Sequence, residues 1–150
     1  MQELLKSMLT ELHAAYFKPN GFTKERQRFR REVDTVMQQV EFQSSQWNSS
    51  DGPVRFYVNI SVGFSDIPMK DGKPALPGRG RIRGLASNAP AQFYLTSTNY
   101  GSIRSQLLAL FPQALSELPK HYEDVRSRAK AGWHTPIPLP DTWAGLLTSE

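Results

Sequence analysis

The chain has 150 residues, enough for one domain to bury a core without disulfide or metal support. It contains no cysteine, which excludes disulfides, thiolate-held metals and a thiol nucleophile, and which fits a reducing, cytoplasmic setting. The net charge of +4 comes from 18 basic and 14 acidic residues interspersed along the chain, so it permits an acidic partner without demanding one.

In the first segment, Leu4, Leu5, Met8, Leu9, Leu12, Ala15 and Tyr16 recur at helical spacing, with Glu3, Lys6, Thr10 and Glu11 on the other side. That pattern predicts an amphipathic helix over about residues 2–17. Lys18 suits its C-terminal dipole, and Pro19-Asn20-Gly21 should stop it. The opening residues alternate charge with apolar side chains and are not read as a signal peptide. Nothing in the chain approaches the ~20 consecutive apolar residues of a membrane span, so no membrane association is expected.

From Phe22 the period changes to two. Residues 22–32 carry charge on both faces and are predicted as a single solvated or edge strand, with Lys24, Arg26, Arg28 and Arg30 projecting from one side. Val36, Val40 and Phe42 share a face of a second strand that runs to about Ser45. In the third, Phe56, Val58, Ile60, Val62 and Phe64 alternate with Arg55, Tyr57, Asn59, Ser61 and Gly63. Turn residues at 48–53 join these two strands, and connections this short demand antiparallel pairing.

Residues 66–90 hold four prolines and four glycines, and are predicted as a long loop with one extended piece at 81–85. Loops of this length inside a compact domain tend to carry function or lack order. A fourth strand follows at 92–96, with Phe93 and Leu95 inward. Helical spacing returns at Ser102, with Pro112 and Pro119 predicted as breaks or new first turns and a last helix over 119–131 that Gly132 ends. Trp143, Leu146 and Leu147 are expected to anchor the proline-rich tail. The expected fold is α+β in a single domain over 1–150: a four-stranded antiparallel meander packed by an N-terminal helix and C-terminal helices.

Candidate chemistry is sparse. His13, His121 and His134 lack partners at metal-ligand spacing, and no Gly-x-Ser-x-Gly elbow is present. Gly78-Arg79-Gly80-Arg81 superficially resembles a phosphate loop but lacks the Gly-Lys-Ser/Thr ending. No catalytic residue, metal or cofactor is therefore expected. What stands out is a set of recognition residues. Arg79, Arg81 and Arg83 alternate, so in an extended segment their guanidinium groups would align roughly 7 Å apart, twice the strand rise. Trp47 and Gln43 belong to a polar-aromatic cluster at a strand end, and Asn59 lies on the polar face of the clearest strand. Each has a structural alternative: an edge that discourages strand pairing, a ring that closes the core, an amide that bonds a neighbouring loop.

Read in order behind the leading helix, four segments carry a resemblance: Gly21-Phe22, Phe42-Gln43-Ser44-Ser45-Gln46-Trp47-Asn48, Phe56-Tyr57-Val58-Asn59-Ile60 and Arg81-Ile82-Arg83-Gly84-Leu85. Over about the first two-thirds of the chain they resemble the bacterial family catalogued as domain of unknown function 4304. Arg83 stands where that family more often runs arginine–aliphatic–glycine. The resemblance implies a helix-plus-sheet bacterial domain and no particular activity. Small families of this kind often serve as immunity proteins beside toxins. The expectation is a cytoplasmic, non-enzymatic protein-binding domain: an immunity protein that occludes the active site of a cognate toxin with an acidic surface. The alternatives are a nucleic-acid-binding module using the arginine-rich strand and loop, and an uncharacterised enzyme.

Overall fold

The computed structural model describes residues 3–45, 53–67, 76–131 and 137–139. Helix α1, Glu3–Leu12, buries Leu5, Met8, Leu9 and Leu12, the apolar stripe that its 3.6-residue period aligns. The winding then widens into a π turn, His13–Phe17, where the Lys18 N–H donates to the His13 carbonyl at 2.8 Å. Gly21, at φ +84°, takes the left-handed conformation that glycine adopts without steric cost, and the Phe22 N–H donates back to the Phe17 carbonyl at 2.9 Å.

The strands are β1 (Thr23–Glu25), β2 (Arg28–Val33), β3 (Val36–Ser44), β4 (Val54–Phe64), β5 (Gly78–Arg81), β6 (Phe93–Leu95) and β7 (Ile137–Pro138). They form one sheet in the order β1-β2-β3-β4-β5-β7, and β6 pairs with the first residues of β4 on the edge that β5 occupies further along. Every pairing is antiparallel except β5 with β7.

The α+β class and the helix–sheet–helix order are as expected, but the sheet is larger than four strands. Residues 22–32 are not one strand. They fold as the β1–β2 hairpin, which turns at Arg26 with φ 55° so that Glu25 pairs with Arg28. The turn has no Asn-Gly or Asp-Gly pair to announce it. Residues 78–81, assigned above to a loop, pair with β4 as β5. The stretch at 82–84, expected to be extended, is instead a 3₁₀ turn.

Helix α2, Tyr100–Glu117, continues through Pro112 instead of breaking there. Pro112 is exposed, and the carbonyl left without its helical donor is that of Leu108, one turn earlier. Pro119 does open a new turn, the 3₁₀ segment Leu118–His121, which leads into helix α3, Tyr122–Lys130. Gly132, His134, Trp143, Leu146 and Leu147 lie outside the described residues.

The helices and one face of the sheet share a single apolar cluster. Phe17 stacks on Phe29 at 3.9 Å and packs against Phe111 at 4.8 Å; Phe42 meets Phe29 edge-on at 6.0 Å, and Phe56 stacks on Phe93 at 5.2 Å. Burying each such ring contributes on the order of 1.5–3 kcal/mol relative to leaving it exposed. No helix among the described residues is long and apolar enough to cross a membrane.

Candidate functional site

Strand β4 divides the molecule. Phe56, Val58, Ile60, Val62 and Phe64 point into the core, and alternation sends Arg55, Tyr57, Asn59 and Ser61 to the opposite, polar face. Directly paired residues in adjacent strands share a face, so the register alone assembles this surface. One row runs Glu25–Arg28–Glu41–Asn59–Arg81 across β1 to β5, and the next runs Thr23–Arg30–Gln39–Ser61–Arg79. Arginines from two segments some fifty residues apart thus frame one sheet face.

The Gly-Arg-Gly-Arg sequence of β5 follows from its two faces. A Cβ on Gly78 would lie 2.6 Å from Val62 Cγ1 and 2.9 Å from Val125 Cγ1, and one on Gly80 would lie 3.3 Å from the Leu139 Cβ. The glycines therefore admit α3 and the residues beside β7 on the core side, while Arg79 and Arg81 project from the polar side. The segment is a strand packed against a helix.

Contacts on the polar face are directional. The Arg81 guanidinium lies 3.7 Å above the Tyr57 ring. Asn59, only 2% exposed, donates Nδ2 to Gln43 Oε1 at 2.8 Å. Arg28 Nε donates to the Glu41 carboxylate at 3.0 Å, and Arg30 directs Nε and Nη2 at Gln39 Oε1 at 3.2 and 2.7 Å. A cleft of about 200 Å³, lined by Glu25, Arg26, Gln27, Arg28 and Glu41, opens beside them. It is smaller than the ~300–1,000 Å³ of typical small-molecule sites.

Of the residues singled out from sequence, Gln43, Asn59, Arg79 and Arg81 come together on this face. Arg83 does not align with them, because the strand ends at Arg81 and Arg83 sits in the 3₁₀ turn Ile82–Gly84. Trp47 lies outside the described residues. The first-strand set is split by the hairpin. Arg28 and Arg30 belong to the polar face, Arg26 occupies the turn, and Lys24 pairs with Phe29 and so falls on the helix side. Tyr57, Ser61, Gln39 and Glu41 were missed. Tyr57 and Ser61 alternate in step with Asn59, and Gln39 and Glu41 in step with Gln43, so strand parity was the available signal.

The two described histidines, His13 and His121, stay apart from this surface. His13 packs its ring 5.8 Å from that of Phe29, and His121 closes the 3₁₀ turn before α3. Among the described residues, no three metal-capable side chains come together.

Three helices on one side of a mostly antiparallel sheet, with an arginine-framed polar face on the other, define an α+β fold. The family model described as Domain of unknown function (DUF4304) matches residues 13–117, and the chain belongs to that family. The match contains β1 to β6 and therefore both arginine rows. No curated protein and no solved structure matches the chain.

Proposed function

We propose that this is a non-enzymatic, cytoplasmic protein-binding domain, an immunity protein that neutralises a cognate toxin by covering its active site. The observation that carries the reading is the polar sheet face, where Arg28, Arg30, Arg79 and Arg81 surround Gln39, Gln43, Asn59 and Ser61. Arginine forks recognise carboxylates bidentately, and Arg28 and Arg30 stand exposed on this face. Inhibition by coverage requires anchors and complementary charge but no chemistry of the inhibitor's own.

The same guanidinium groups also suit phosphates, which keeps nucleic acid as the second reading. Against it, the aromatic rings among the described residues of this face, Tyr57 and Tyr94, each lie beneath an arginine, at 3.7 and 5.2 Å. Single-stranded nucleic acid binds by stacking successive bases on such rings, and with Arg81 over Tyr57 the described residues of this face leave one ring, Tyr94, 48% exposed.

Co-expression with the product of the adjacent gene tests the proposal. The expected result is growth rescue from a toxic neighbour together with a stoichiometric complex in calorimetry. Rescue without a complex, or a neighbour that is neither toxic nor bound, overturns it.

A further inference from the structure

The two arginine rows differ in charge. The row Glu25–Arg28–Glu41–Asn59–Arg81 contains two acids, and Arg28 is committed to Glu41 at 3.0 Å. The row Thr23–Arg30–Gln39–Ser61–Arg79 contains none. Gln39 is neutral, so its acceptance of Arg30 Nε and Nη2 fixes the guanidinium without cancelling its charge. Of about five N–H donors on an arginine, that leaves about three for an outside acceptor. At the other end, no hydrogen bond or ion pair to a described residue engages the Arg79 side chain. Between the two ends, Gln39 and Ser61 are 8% and 6% exposed. Of the acids in the flanking rows, Glu41 accepts from Arg28 and Glu32 from the Ser65 hydroxyl at 3.1 Å, while Glu25 stands opposite Arg28.

We propose that this second row is the anion-reading line of the partner surface, and that Arg30 and Arg79 each receive a carboxylate of an acidic polypeptide. The inference rests on the protein-binding reading above and specifies the partner's chemistry. Three inter-strand steps of ~4.8 Å set the two backbones about 14 Å apart, and four residues of an extended chain cover the same span. The row is thus positive at both ends and neutral in the middle. Two separated carboxylates match that pattern. A phosphodiester strand does not, because its closely spaced charges would also fall over the neutral middle and beside Glu32 and Glu41. Gln39 holds Arg30 in place before the partner arrives, which lowers the ordering cost of binding.

The test is an NMR titration of the arginine Nε–Hε signals of the full chain at physiological salt. The probes are a twelve-residue extended peptide with glutamate at every fourth position, its glutamine counterpart, and a twelve-nucleotide oligothymidylate. The Arg30 and Arg79 signals are expected to move with the glutamate peptide and to stay still with the glutamine one. Combining Arg30→Gln with Arg79→Gln should weaken peptide binding at least tenfold, with the backbone spectrum showing an intact fold. The proposal fails if neither signal moves, if the double variant binds as well as the parent, or if the oligonucleotide binds this row more tightly than the peptide. Toxin rescue separates the two levels. Rescue that persists in the double variant removes this row and leaves the immunity reading. Peptide binding without any rescue does the reverse.

Discussion

On the helix side of the sheet, Phe42 meets Phe29, Phe56 and Phe111 at centroid distances of 6.0, 5.6 and 6.2 Å. One residue to either side, on the other face, Glu41 accepts from Arg28 and Gln43 accepts from Asn59. The first face is held by area, a non-directional force that tolerates many geometries so long as volume is conserved. The second is held by donors and acceptors whose partners are fixed by angle and distance. The apolar face stabilises the register, and the register brings Arg30 and Arg79 into one row. Stability and the proposed recognition are therefore separable, one on each side of the same strands.

The sharpest way to break that comparison is to truncate one residue on each face. Phe42→Ala removes a ring that is 1% exposed, and should cost about 3–5 kcal/mol in chemical denaturation, as buried phenylalanines do. Arg28→Ala removes a side chain that is 55% exposed together with its ion pair, and should cost no more than about 1 kcal/mol. Comparable losses would show that the polar face also carries stability.

Gly78→Ala comes next in size. The added methyl meets the Val62 and Val125 side chains at distances that real Cβ atoms do not reach, so those side chains or the elements that carry them must shift. Overpacking of this kind typically costs ~1–3 kcal/mol. A melting temperature equal to the parent's would mean that β5 does not lie where the glycines place it. If the two sides are coupled only through the strand, the shift should also displace the Arg79 and Arg81 signals.

How much of this was readable from sequence varied with how unlike the two faces of each element are. The alternation from Val54 to Phe64 was plain because every inward residue is large and apolar and the outward ones are not. The β1–β2 hairpin was hidden because Arg26 takes the left-handed conformation without glycine or asparagine, and because Phe29 is a single apolar residue among charges. The β5 strand was hidden because glycine weakens strand propensity, and the reason for glycine there, Val125 of α3, lies nearly fifty residues away. For the site, Gln43, Asn59 and Arg81 could be named one by one. Their convergence depends on inter-strand register, which the sequence of one strand does not contain.

The smallest expected effect concerns the fastening between helices, which belongs to neither face of the sheet. Glu11 of α1 accepts hydrogen bonds from the Tyr100 hydroxyl and from Arg104 Nη1 of α2, the latter at 2.7 Å. The Tyr100 hydrogen bond, followed by Arg104, holds the Glu11 carboxyl below its ordinary value. Burial, and then Glu11 itself, push the Tyr100 hydroxyl up to about 12. A lowered carboxyl favours the folded state above its unfolded value and loses that contribution as pH falls through the folded one. A raised phenol contributes fully below about 10 and loses its share as pH climbs towards about 12. Melting temperature against pH should therefore decline at both extremes. Tyr100→Phe should flatten the alkaline decline without abolishing it, because burial also raises Tyr16 and Tyr122. The variant should soften the acid decline too, since it removes the largest cause of the Glu11 shift. If the two curves superimpose, the fastening contributes nothing measurable, and α1 is held to α2 by its apolar stripe alone.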